Sequence, residues 1–234
     1  MNTVVQISDT HLAAVPSVGS DSPDGALAST VAAFAGGAID LVLLTGDVAD
    51  DGSPAAYGRV GAIVDQLGAP VLATSGNHDV PDALRAQFGS TSHAAVGRWR
   101  VIMIDTSIPG EQHGRIDVER LRAELGVDDG IPTALAMHHP PITTSTHPWF
   151  QLHGGADAVA LLAQRRDVRV VVSGHLHEAF HVVCGGVTYI GCSSSWYSLE
   201  HRAEAYVHDD GHVGALALDL HDDGSFDWRR ISRR

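Results

Sequence analysis

An α/β layered fold with largely parallel, buried strands is what this chain of 234 residues predicts. Two observations point there. Short apolar runs rich in β-branched residues recur at 4–7, 41–44, 71–73, 101–104, 134–137 and 168–172. Between several of them lie alanine-rich stretches of helical character, at 26–35, 55–67 and 118–125. Apolar strands without polar alternation, interleaved with helices, are the pattern of a parallel sheet covered on both faces. From Phe180 onward the pattern changes. Residues 181–192 pair two runs around Gly185-Gly186, and 203–220 and 225–231 continue as strands joined by tight Gly or Asp-Gly turns. This predicts a second sheet or a hairpin edge on the first. No Pro/Gly/Ser linker separates two units and no repeat is present, so one domain over 1–234 is expected.

Composition narrows the function. The chain is 44% hydrophobic and 18% charged, the profile of a globular protein rather than a disordered one. It has no lysine, so all 15 cationic side chains are arginines; a Walker-type phosphate lysine and a Schiff-base mechanism are excluded. A formal charge of −13 disfavours electrostatic binding to long nucleic acid or an anionic membrane. No apolar run approaches the roughly 18–20 residues that span a bilayer. The opening MNTVVQISDTHL lacks a basic-then-apolar leader pattern, so a cytoplasmic location is expected. Cys184 and Cys192 flank the Gly185-Gly186 turn, and two free, mostly buried thiols are expected there rather than a disulfide. Histidine is the unusual residue: there are 15, and imidazole is the commonest metal ligand.

Almost every strand run ends in metal-competent side chains. Residues 4–7 run into Asp9-Thr10-His11, 41–44 into Gly46-Asp47, and 71–73 into Gly76-Asn77-His78-Asp79. Likewise 134–137 lead to His138-His139-Pro140-Pro141, and 168–172 to Gly174-His175-Leu176-His177. Each piece has an ordinary explanation alone, as a turn, a cap or a core histidine. Repetition at the same end of five strands does not, because ligands of parallel α/β sheets bind beyond the strands' carboxyl ends. In Asp9-x-His11 and His175-x-His177, spacing i, i+2 places both side chains on one side of an extended chain. Seven donors are too many for one tetrahedral zinc. With Asp47 bridging they divide into Asp9, His11, Asp47, His177 and Asp47, Asn77, His138, His175. Nitrogen and oxygen donors without thiolate suit Fe, Mn, Zn or Co. Two such ions roughly 3.5–4 Å apart make a hydrolytic device for phosphoryl chemistry.

The ordered set Asp9-x-His11, Gly46-Asp47, Gly76-Asn77-His78-Asp79, His138-His139-Pro140-Pro141 and Gly174-His175-x-His177 resembles the calcineurin-like metallophosphoesterases. The resemblance spans residues 9–177 and implies that family's four-layer α/β-β/α sandwich, with two metal ions, Fe or Mn favoured, where the sheets meet. It implies that Asp47 bridges, that His138 is a ligand and His139 stands behind it, and that His78 contacts the phosphate or protonates the leaving group. The stretch Asp105–Gly110 and His113-Gly114-Arg115-Ile116 is similar to the class III cyclic-nucleotide phosphodiesterases and related glycerophosphodiesterases, although 118–125 lacks the glutamine and tryptophan common in that branch. The expected activity is phosphodiester hydrolysis, with cyclic nucleotides as substrates and a metal-bound hydroxide attacking phosphorus. The alternatives are a glycerophosphodiesterase, a broad phosphomonoesterase or a non-catalytic scaffold of the same fold. A small-molecule phosphodiester is the expected partner, and relatives suggest a homodimer.

Other polar residues carry milder expectations. His113, His147, His153, His181 and His201 read as surface or supporting residues. His147-Pro148-Trp149-Phe150 reads as a self-packed loop or dimer contact, or as a pocket wall that stacks a nucleobase. Ser193-Ser194-Ser195 has no Gly-x-Ser-x-Gly elbow around it and is not expected to supply a nucleophile. His208, His212 and His221, with Asp209-Asp210 and Asp222-Asp223, read as solvated hairpin turns, and Arg229, Arg230, Arg233 and Arg234 as a frayed tail.

Overall fold

Two sheets face each other across a dry core, and helices cover their outer faces. The computed structural model describes residues 1–202, 205–209 and 212–232. The first half runs β1 (Asn2–Ile7), α1 (Pro23–Ala32), β2 (Leu41–Thr45), α2 (Pro54–Val64), β3 (Val71–Thr74), α3 (Pro81–Phe88), β4 (His93–Val96), β5 (Trp99–Ile104) and β6 (Gly114–Arg115). Next come α4 (Val118–Leu125), β7 (Thr133–Met137), β8 (Leu152–His153), α5 (Gly155–Leu162), β9 (Val168–Ser173), β10 (Phe180–Cys184) and β11 (Val187–Gly191). Then follow β12 (Ser198–Arg202), β13 (Ala205–Asp209), β14 (Gly214–Leu220) and β15 (Phe226–Ser232). One sheet has the order β15-β14-β1-β2-β3 and the other β10-β11-β9-β7-β5-β4. β1-β2-β3 and β11-β9-β7-β5 are parallel, while β14 is antiparallel to β1 and β15, and β10–β11 and β4–β5 are antiparallel edge hairpins. Both C-terminal alternatives are therefore realised: β10–β11 extends the second sheet, and β14–β15 closes the first through β1.

Period-2 alternation sorts the strand residues between layers. Val4, Leu41, Leu43, Ala134, Ala136, Val170 and Val172 point between the sheets. Their neighbours Val5, Ile7, Val42 and Leu44 pack outward on α1, α2 and α3. On the other side Leu135, Met137 and Val171 pack outward with residues of α4 and α5. This is the expected four-layer α/β-β/α sandwich. No helix among the described residues is long and apolar enough to cross a membrane.

Local chemistry moves several boundaries. The helix expected at 26–35 starts at Pro23, because the Ser22 hydroxyl accepts from the Gly25 amide and proline suits the first turn. The one expected at 55–67 is an α-helix to Val64 followed by a 3₁₀ turn over Asp65–Leu67, stopped by left-handed Gly68. Helix α4 has its expected bounds, with Asp117 accepting from the Glu119 and Arg120 amides. Three readings need correction. His208 and Asp209 are not in a turn but in β13, which pairs with β12. Cys184 is exposed while Cys192 is buried; both are free, but β10 is an edge strand and Cys184 lies at its exposed end. Arg229 and Arg230 are not in a frayed tail, since β15 pairs along its length with β14. Arg233, Arg234 and Asp210 lie outside the described residues.

Trp99 is the largest buried side chain between the sheets, 1% exposed, and its indole N–H donates to the His221 carbonyl at 2.8 Å. Replacing it with alanine empties a large volume and leaves that carbonyl with the Gly224 amide, at 3.1 Å, as its remaining donor. Trp99→Ala is expected to destabilise the fold by about 3–5 kcal/mol, read as a lowered urea unfolding midpoint; a loss below about 1 kcal/mol would contradict this packing.

Candidate metal centre

The site forms where β1, β2, β3, β7 and β9 release their chains toward the same end of the sandwich. Each strand delivers its polar residue by a sharp turn. Five non-glycine residues have left-handed backbones: Asp9, His11, Asp47, His175 and His177, with φ of 55°, 49°, 48°, 71° and 50°. All five belong to the candidate set. The extended-chain account of Asp9-x-His11 and His175-x-His177 is therefore wrong in detail: the side chains converge because both residues of each pair are left-handed. Each such residue costs on the order of 1–2 kcal/mol, so the turns are held by surrounding contacts. Gly76 and Gly174 permit the closest approaches. A Cβ on Gly76 would collide with Asp47 Oδ1 and one on Gly174 with Ser8 Oγ.

The expected donors fall into two groups, and His175 lies in the second with His138 and His139. On one side, ligand atoms of Asp9, His11, Asp47 and His177 lie within 4.8 Å of one another, all buried. On the other, His138 Nε2 is 3.1 Å from Asn77 Oδ1. Asp47 Oδ2 stands between the groups, 3.7 Å from His11 Nε2 and 3.5 Å from His138 Nε2. Its Oδ1 is engaged elsewhere, accepting the His78 amide at 2.9 Å.

The histidines are oriented by their far nitrogens. His138 Nδ1–H donates to the Thr45 carbonyl at 2.8 Å, His177 Nδ1–H to the Tyr197 carbonyl at 3.1 Å, and His11 Nδ1–H to Asp50 at 3.1 Å. His175 is reversed: Nε2–H donates to the Trp149 carbonyl at 2.9 Å, which leaves Nδ1 as its donor atom. His139 has no nitrogen to spare. Its Nε2–H meets the Gln112 carbonyl at 3.2 Å and its Nδ1 accepts from Thr106 Oγ1 at 2.9 Å.

This donor set fits cations. With Nδ1–H committed on both rings, His11 and His177 bring their Nε2 lone pairs to 3.2 Å of one another. Two lone pairs at that distance need a proton or a cation between them, and Asp9 Oδ1 lies 3.3 Å from His177 Nε2 to share it. Burial pushes the Asp9 carboxyl up, but His177 and His138 hold it down at about 2. Asp47 is likewise held well below the ordinary range against its burial, chiefly by His138 and His11. Burial disfavours charge on His138, yet Asp47 and Asp9 raise it to about 9. Burial and the His138 charge push His139 down to about 3, consistent with a neutral support.

Sequence reasoning missed the outer partners. Asp50 accepts from His11 and also lies 3.3 Å from His78 Nδ1. Gln112 Oε1 accepts from Asn77 Nδ2 at 3.0 Å, which turns Asn77 Oδ1 toward His138. Half-buried Asp79 ties two motif turns together, accepting the amides of Val48, Ala49 and Gly76 and the Tyr57 hydroxyl. Its carboxyl is raised by burial and by Asp47. Ser194 is structural: its hydroxyl donates to the Asp9 carbonyl and accepts the Trp196 and Tyr197 amides. Of the remaining histidines, His201 supports the site by donating to the Leu176 carbonyl at 2.8 Å, while His113 and His153 pair with each other at 4.3 Å. Asp79 closes the Gly76–Asp79 motif and Asp50 follows Asp47 by three residues, which could have flagged both; Gln112 offered no signal.

Two sheets that bring carboxylates, an amide and imidazoles to one buried point, with one carboxylate oxygen shared, define a candidate dinuclear metal centre on a phosphoesterase sandwich. The calcineurin-like phosphoesterase profile matches residues 3–179, and the chain belongs to that family. A probable cyclic nucleotide phosphodiesterase from Synechococcus sp. is 33% identical, covering 97% of this chain and 90% of its own. The 3′,5′-cyclic adenosine monophosphate phosphodiesterase CpdA from Pseudomonas aeruginosa is 31% identical over 80% of this chain and 72% of its own. Among solved structures, a dimetal phosphatase from Danio rerio superimposes with a TM-score of 0.78 at 14% identity, covering 100% of this chain and 96% of its own. That last likeness concerns the fold.

Two outcomes follow from the geometry. The proton that holds His138 near 9 occupies the lone pair a cation would take, so Mn²⁺ affinity is expected to rise with pH up to about 9, with protons released on binding. Calorimetry in buffers of different ionisation enthalpy checks this, and pH-independent binding would remove His138 from the ligand set. Gln112→Leu frees the Asn77 amide to rotate. It is expected to weaken the second Mn²⁺ by about 10- to 100-fold while sparing the first, as read from a two-site binding isotherm.

Proposed function

We propose that the chain is a two-metal phosphodiesterase acting on cyclic nucleotides, and that residues 1–234 form one catalytic domain. The observation that carries the reading is Asp47 Oδ2, placed between His11 Nε2 and His138 Nε2 at similar distances. Asp9, His11, Asp47 and His177 would hold one ion, and Asp47, Asn77, His138 and His175 the other, with Fe, Mn or Zn suited to these donors. The similarity to proteins named as cyclic nucleotide phosphodiesterases supports the substrate class. The pairing of β14 with β1 supports the single domain, because the C-terminal strands complete the N-terminal sheet.

When bound, two such ions supply a water-derived nucleophile at neutral pH and neutralise charge on the phosphoryl oxygens. The chain's own residues do the rest. Asp47, anchored through Oδ1 by the His78 amide, keeps the two donor groups in register. His78 is fixed by Asp50, with Nδ1 at 3.2 Å from its carbonyl and 3.3 Å from its carboxylate, and lines the cavity over the donors. Its Nε2 is the proton donor to the alcohol oxygen as the bond from water to phosphorus forms and the ester bond breaks. A diester carries one negative charge, so a cavity with no lysine or arginine among its described lining residues suits it.

The test compares bis(p-nitrophenyl) phosphate with p-nitrophenyl phosphate in chelated protein, with and without Mn²⁺. Metal-restored turnover that favours the diester and vanishes in Asp47→Ala is expected. Preference for the monoester would make the protein a phosphatase, and inactivity with Fe, Mn and Zn alike would sink the enzymatic reading. His78→Ala is expected to lower turnover by about 10²–10⁴-fold with metals retained; near-normal turnover would remove its proton-donor role.

A further inference from the structure

We propose that Trp149 forms a nucleobase subsite, a stacking platform at the mouth of the catalytic cavity; this rests on the phosphodiesterase reading and names what selects its substrates. The cavity, about 320 Å³, is lined both by Asp47, Asn77 and His78 and by Trp149, Phe150 and Leu199. A ligand that satisfies both kinds of lining carries a phosphate and a flat apolar group, as a nucleotide does.

Trp149 is placed to receive that group. It is 46% exposed and is the one aromatic among the exposed large apolar side chains of the described residues. Exposing an indole forgoes burial worth several CH₂ groups, and the loop around it is not loose. His147 caps the 3₁₀ turn over Pro148–Phe150 by accepting the Trp149 amide. Gln151 Nε2 donates to the Ser145 and His147 carbonyls at 2.8 and 3.2 Å. Phe150, 5% exposed, anchors the turn against His175 and His201 at 5.2 and 4.5 Å between ring centroids. The turn therefore buries one aromatic and leaves the next half-exposed, its indole held edge-on to the His147 ring at 5.2 Å between centroids. A rigid exposed ring lowers the ordering cost of binding, and stacking accepts any base because every base has a π-face.

The Trp149 carbonyl also accepts from His175 Nε2 at 2.9 Å. The turn that carries the platform thus also orients a candidate ligand, and the test must separate the two roles. Calorimetry on the Mn²⁺-loaded protein compares AMP with ribose 5-phosphate, which keeps the phosphate and sugar but lacks the base. The wild type is expected to bind AMP more tightly. Trp149→Ala, which keeps the backbone carbonyl, is expected to lose on the order of ten-fold in AMP affinity with ribose 5-phosphate unchanged, and Trp149→Phe to recover most of it. Equal affinities for the two ligands in the wild type, or equal weakening of both in Trp149→Ala, would overturn the subsite. Bis(p-nitrophenyl) phosphate turnover by the same wild-type sample tells the two failures apart. If the diester is hydrolysed, only the platform is wrong; if it is not, the catalytic reading falls and the platform with it.

Discussion

Asp9 and Asp47 are both essentially removed from solvent, and a carboxylate without water is tolerable only when cations or N–H groups surround it. That requirement organises this end of the molecule. Asp47 draws in the His78 amide, His11 and His138; Asp9 draws in the His175 amide and His177. Each of these groups stands on a different turn. Satisfying two anions therefore cross-links the ends of β1, β2, β3, β7 and β9, and charge joins the apolar cluster of Phe150, Leu176, Phe180 and Leu199 in closing the sandwich at that end.

The layers below make this possible. Small residues such as Ala134 and Ala136 on the inner face of β7 let the sheets approach, and the parallel central strands all end on the same side. The strain of five left-handed residues is offset by the same contacts that satisfy the buried charge. Strain, burial and function thus sit on the same side chains, a coincidence expected where a site is preorganised rather than assembled on binding.

Each imidazole facing the centre spends one nitrogen on a carbonyl or carboxylate and keeps the other free. Hydrogen bonding thereby decides which atom can bind a cation, and it does so differently for His175 than for His11, His138 and His177. His139 shows the converse, since engagement of both nitrogens removes it from the donor set although it is as buried as its neighbour. The outer partners Asp50, Gln112, Thr45, Tyr197 and Trp149 are therefore as much part of the site's chemistry as the donors.

The sequence alone was sufficient for the strand–helix alternation and for the five motif turns that converge at one end of the sandwich. Those features rest on local patterns: apolar runs, chain spacing and residue chemistry are all readable in one dimension. It misplaced the exposure of Cys184 and the tail character of Arg229 and Arg230, because edge position and pairing with β14 depend on distant strands. It did not register α3, α5, β4 or β12, and it ran β13 and β14 together over 203–220. The left-handed turns, the reversed use of His175, and the roles of Gln112 and Asp50 were decided only in the tertiary structure. A ring nitrogen is made donor or acceptor by whatever lies 3 Å away, and for Gln112 and Asn77 that neighbour is 35 residues distant in the chain.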